Sequence, residues 1–141
     1  MTTWIVAILG MLHLAWGVGA VAAPRWFFDN FPGFGRHWTA AYPPYNEHLM
    51  TDVGAAFLAL GVILLIAAAM RDRKVTNVVL IGLVVFSTSH LIFHARHPGN
   101  LEGPDLVASL VSLALGVVVP VILLVVEAKR GPRPHSRAGE A

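Results

Sequence analysis

Residues 49–70 read LMTDVGAAFLALGVILLIAAAM, with Asp52 as the one charged residue and an unbroken apolar run from Val53 to Met70. A helix rises 1.5 Å per residue, so about 20 such residues cross a hydrocarbon core roughly 30 Å thick. The stretch lacks the strict alternation of a lipid-facing strand. In lipid its backbone can be satisfied within one segment only as a helix. The segment therefore predicts a membrane-spanning helix.

Three further windows of the same kind flank it: Trp4–Ala23, Val75–Ala95 and Leu106–Val126. The chain of 141 residues is 56% hydrophobic and only 13% charged, well away from the balance of a water-soluble domain. The prediction is an all-α, four-transmembrane-helix bundle over residues 1–128, with spans at 4–23, 49–70, 75–95 and 106–126. Residues 129–141, basic and rich in Pro and Gly, read as a disordered cytoplasmic tail suited to anionic headgroups. Ala20, Val21 and Ala22 resemble a signal-peptide cleavage pattern, but no Lys or Arg precedes the first apolar run, so it is read as a span.

Orientation follows from the ten Lys and Arg residues. Arg71, Arg73 and Lys74 lie in the second connection and Lys129, Arg130, Arg133 and Arg137 in the tail, against Arg25, Arg36 and Arg96 in the other two connections. This asymmetry predicts both termini in the cytoplasm and a multi-pass protein of the plasma membrane. Topology thus accounts for the basic pI, and no basic, aromatic-bearing soluble face points to nucleic acid. Without Cys, thiolate metal sites, disulfides and thiol redox chemistry are excluded.

The outer connection, residues 24–48, holds Trp26, Phe27, Phe28, Phe31, Phe34, Trp38, Tyr42 and Tyr45, eight of thirteen aromatic residues. Aromatic rings favour the headgroup region. An interfacial anchor is the plainer reading and a lid over a ligand site the sharper one. A short repeat is also visible: LALGV occurs at Leu58–Val62 and Leu113–Val117, and His-Leu at His13-Leu14 and His90-Leu91. It predicts two hairpins in the same orientation, related by an axis along the membrane normal.

Ionisable groups inside spans cost roughly 2.5–3.5 kcal/mol each on insertion scales, so each needs a partner or a purpose. His90 and His94 are four apart, about 40° around a helix, and project from one face. Two such imidazoles can chelate one metal ion. His48 and Asp52 repeat the spacing on the second helix, at the same outer end, so the two pairs can meet; below Asp52 the small residues Ala55, Ala56 and Ala59 let a neighbouring helix approach, so Asp52 is expected to face protein. His13, flanked by Gly10 and Gly17, is expected in a close helix contact, where a single hydrogen bond to a carbonyl or to Asp52 would satisfy it. Asn46, Glu47 and Asp105 read as helix-capping residues.

The stretches FPGFGRHW (Phe31–Trp38) and PYNEHLMTDVG (Pro44–Gly54) resemble those of a group of small four-span membrane proteins from actinobacteria, in which PYNEH precedes an Asp and a Gly opening the second helix. The architecture is also loosely similar to that of DoxX-like membrane proteins. The resemblance covers roughly residues 10–125, with Asn46, Glu47, His48 and Asp52 on the motif. It implies the four-span fold and brings no activity or residue role.

Three functions fit these residues. The first is a site under the outer leaflet, built from His13, His48, Asp52, His90 and His94, for a metal ion, a haem or a small lipophilic ligand. Imidazole with carboxylate suits Zn, Cu or non-haem Fe, and two histidines at one depth suit a haem. The second is proton or solute transport, which in so narrow a bundle calls for a homo-oligomer. The third is a non-enzymatic accessory or packing subunit with a membrane-protein partner. No nucleophile and base pair marks an enzyme.

Overall fold

The computed structural model describes residues 1–129. Its helices are α1 (Thr2–Ala22), α2 (Pro24–Asn30), α3 (Glu47–Met70), α4 (Arg73–Arg96) and α5 (Gly103–Lys129). Among the described residues, four helices (α1, α3, α4 and α5) are long and apolar enough to cross a membrane. The architecture is all-α, a four-helix bundle. Lys129 closes α5; the rest of the expected tail lies outside the described residues.

Local chemistry sets each helix end. Ala23 precedes a proline and leaves helical geometry (φ −144°, ψ 63°), so α1 stops and Pro24 opens α2 as its first residue. Asn46 caps α3 by accepting a hydrogen bond from the Leu49 amide at 3.0 Å, and Glu47 sits in the first turn, beside the positive end of the dipole. The turn between α3 and α4 needs only two residues. Arg71 ends α3 in the left-handed region (φ 54°), and Asp72 caps α4 by accepting from the Val75 amide at 2.9 Å. At the other end of α4, His97 precedes Pro98 and turns out of the helix.

The connection between α1 and α3 has secondary structure of its own. After α2 comes a small hairpin, β1 (Pro32–Gly33) with β2 (Arg36–His37), and then a single 3₁₀ turn at Thr39–Ala41. Phe34 and Gly35 form the hairpin tip, both at positive φ (57° and 74°), which is the type I′ pattern. Phe34 is fully exposed there.

The helices pair unequally. α1 and α3 meet along a glycine seam in which Gly10 and Gly17 oppose Gly61 and Gly54; a Cβ on Gly17 would lie 2.5 Å from the Leu58 nitrogen, and one on Gly61 2.6 Å from that of Leu14. Without side chains the two backbones come into direct contact. α4 and α5 approach through Ser87 and Gly116, with room for an ordinary methyl contact. α5 runs through the buried Pro120, whose ring and missing N–H leave the Gly116 carbonyl without its helical partner.

Two clusters hold the pairs together. Toward the α3–α4 turn, Val6, Leu64, Ala68, Leu80, Leu83 and Leu123 bring all four long helices into one apolar core. Toward the outer connection, Ala20, Phe27 and Met50 pack with Trp16, Phe28, Phe31 and Tyr45, which folds the aromatic segment onto the ends of α1 and α3. Large apolar side chains cover the outside: Ile8 and Met11 on α1, Ile63 and Ile66 on α3, Val78 and Val85 on α4, Val107 and Val111 on α5. An apolar surface of this extent is an aggregation liability in water and the correct surface in lipid. The chain is a multi-pass integral membrane protein.

Candidate functional site

The buried positions of α4 run Thr76, Leu80, Leu83 and Ser87 in steps of four and three. The next two steps are His90 and His94, so helical phase alone turns both imidazoles toward the bundle. Their ring centroids lie 4.6 Å apart at an interplanar angle of 60°. His94 is held from above: its Nδ1 and the Tyr42 hydroxyl form a hydrogen bond of 2.8 Å, with the two rings edge to face at 4.8 Å. Burial raises the Tyr42 phenol above its ordinary value, so at neutral pH it remains a hydroxyl that can donate to Nδ1 or accept from it. When Nδ1–H donates to the phenol oxygen, His94 Nε2 carries the free lone pair.

His90 is surrounded by rings. It stacks on Phe86 (5.7 Å, 14°), meets His94, and touches Phe57 of α3 edge-on at 6.4 Å. Phe57 also contacts His13, at 5.6 Å, and Trp16, at 5.9 Å. A row of rings therefore crosses the half of the bundle away from the α3–α4 turn in the order His13, Phe57, His90, His94, Tyr42. No hydrogen bond to the His90 nitrogens is present among the described residues.

The remaining candidates lie elsewhere. His13 is buried in the α1–α3 seam, with Nδ1 2.8 Å from the Leu9 carbonyl oxygen, which satisfies one nitrogen within its own helix. Phe57 touches both His13 and His90, so the pair does not flank the open slot that a haem between them requires. His48 and Asp52 contact each other at 3.3 Å, with side chains 88% and 62% exposed. The expectation that Asp52 faces protein and that this pair meets His90 and His94 is corrected here. The buried stripe of α3 is Met50, Gly54, Gly61 and Leu64. Asp52, two residues from both Met50 and Gly54, is turned about 200° around the helix from either. Among the described residues no group of three or more His, Asp or Glu is placed to hold a metal ion.

Asp105 does more than occupy the first turn of α5. Its Oδ1 accepts from the Arg36 guanidinium and, at 3.0 Å, from Trp38 Nε1. The outer connection is thereby tied to α5, as Tyr42 ties it to α4. A backbone bond from the Asn100 amide to the Ala41 carbonyl, 2.9 Å, joins it to the third connection. Tyr42, Arg36 and Trp38 were not singled out by their own positions in the sequence. The available signal was chemical: Tyr and Trp each carry one polar group that needs a partner once the ring is covered.

No protein-family model matches the chain, and no curated protein or solved structure matches it either.

Proposed function

We propose that this is a plasma-membrane protein with both termini cytoplasmic, and that His90 and His94 hold a late first-row transition-metal ion, Cu(II) or Zn(II), just beneath its outer surface. The observation that carries this reading is the asymmetry of the pair: His94 is oriented through Nδ1 by Tyr42, while His90 beside it has unclaimed nitrogens. That is the usual logic of a metal site, in which the second nitrogen of a ligating imidazole is fixed by an outer hydrogen bond. Two imidazoles without thiolate or carboxylate favour copper or zinc over calcium or magnesium. Water or an incoming ligand would complete the coordination, so the site would be open and of modest affinity.

Transport of protons across the membrane is less well supported. The ring row ends inward at Phe57 and Phe86, and below it lies the Val6, Leu64, Leu80, Leu83 and Leu123 core, which offers no ionisable group. An accessory role, with the Tyr42–His94 bond as a purely structural tie, is favoured by the close ring packing and is the alternative.

The deciding measurement is metal titration of chelator-stripped protein in detergent, followed by electron paramagnetic resonance of the Cu(II) form. Wild type should bind one equivalent with nitrogen couplings from two imidazoles. His90→Ala and His94→Ala should each lose it, and His48→Ala and Asp52→Asn should keep it. Equal copper uptake by wild type and a His90→Ala, His94→Ala double variant would leave the structural tie as the better account.

A further inference from the structure

At the end of the bundle opposite the imidazoles, the start of α1 and the end of α3 leave an open groove of about 440 Å³. Its two halves differ in chemistry. Ala7 and Leu65 make an apolar floor that runs toward the bilayer centre, while Thr3, Trp4 and Arg71 stand at the membrane-edge rim. Trp4 is 74% exposed, and an indole at this depth belongs to the aromatic belt at the headgroup level. Arg71 adopts a positive φ of 54° to end α3, a conformation uncommon outside glycine. The turn it makes brings a guanidinium, with five N–H donors in a fixed fork, to the mouth of the groove. Asp72, which caps α4, follows Arg71, and Arg73 and Lys74 then open α4.

We propose that this groove is a binding site for an anionic phospholipid, with the headgroup phosphate at Arg71 and Thr3 and an acyl chain along Ala7 and Leu65. Guanidinium and phosphate match in geometry as well as charge. The apolar floor distinguishes the site from one for free phosphate, which would gain nothing from Leu65. The proposal is independent of the metal reading, since the groove lies at the other end of the molecule.

The test uses the full chain in nanodiscs of phosphatidylglycerol and phosphatidylcholine in equal amounts, with the lipid that stays bound after detergent extraction counted by native mass spectrometry. Wild type should retain phosphatidylglycerol in preference to phosphatidylcholine. Arg71→Ala should lower that preference about fivefold, the worth of one basic group at an anionic surface. Ala69→Trp, placed on an exposed residue that also lines the groove, should lower it by filling the space. Arg25→Ala, at the outer end and paired with Asp29, should leave it unchanged. Helical circular dichroism identifies any variant that has lost its fold. Equal retention of the two lipids overturns the proposal, as does wild-type retention by both groove variants. Displacement of the lipid by inorganic phosphate alone, or a dimer mass with the groove protected from lipid, overturns it too.

Discussion

The phenol of Tyr42 brings a polar atom into a segment otherwise dominated by rings, and its partner is a histidine fifty-two positions away. Tyr42→Phe keeps the edge-to-face ring contact with His94 and removes only the hydroxyl. A polar group left unpaired in a covered position costs about 1–3 kcal/mol, and an outer-sphere partner of a metal ligand is worth about 10- to 100-fold in metal affinity. Tyr42→Phe should therefore weaken Cu(II) binding within that range while leaving the helical content intact. A purely structural tie would change stability without any metal-dependent difference. The phenol also sets a pH limit. Burial raises its value, so whatever stability the hydroxyl form gives is fully present below the ordinary tyrosine value and is lost as pH rises through the higher, folded one. The chain has only two tyrosines; in a Tyr45→Phe background, ultraviolet titration should place the remaining phenolate transition above that of the unfolded protein. At this scale the sequence was partly legible. The close quarters of His13 could be read from Gly10 and Gly17, because small residues mark close helix contacts. The small residues Ala55, Ala56 and Ala59 point to the wrong contact face for Asp52, because Gly54 and Gly61 form it.

At the scale of elements, the outer connection is a clamped segment whose ties reach three places. Asp105 receives Arg36 and Trp38, Tyr42 shares a hydrogen bond with His94, and the Ala41 carbonyl receives the Asn100 amide. Gly99 permits the last of these, since at φ 62° a Cβ there would sit 2.6 Å from the Ala41 oxygen. Asp105→Ala removes one anchor and spares the other two. Hydrogen exchange should then quicken severalfold in residues 36–42 and remain unchanged in the α1–α3 seam. Equal protection in both proteins would mean that the Asp105 contacts do not hold the segment. The spans themselves were legible because lipid imposes length and apolarity on each one separately. The ties were not, because they depend on which loop residue reaches which helix, and periodicity carries no information about that.

At the scale of the whole molecule, the repeated words in the sequence can be compared with how the two hairpins pack. His13 and His90 each stand three residues after a position that meets the partner helix: Gly10 opposes Gly61, and Ser87 opposes Gly116. Gly61 and Gly116 are in turn the glycines of the two LALGV words. The corresponding positions therefore make corresponding contacts, as expected for two hairpins in the same orientation. The energetics at those positions differ. A methyl at Gly61 would meet the Leu14 backbone at 2.6 Å, a distance that only movement of the helices can relieve, whereas at Gly116 the nearest atom is Ser87 Oγ at 3.6 Å, an ordinary contact. Gly61→Ala should lower stability by about 1–3 kcal/mol, the usual cost of overpacking. Gly116→Ala should be neutral or stabilising by up to about 1 kcal/mol, because alanine is the better helix former. Unfolding of the two variants in mixed micelles measures both. Equal losses would mean that the hairpins are packed alike and that the glycine seam of α1 and α3 has no special closeness. A loss confined to Gly61→Ala would identify that seam as the rigid half, against which the looser α4–α5 pair presents His90 and His94.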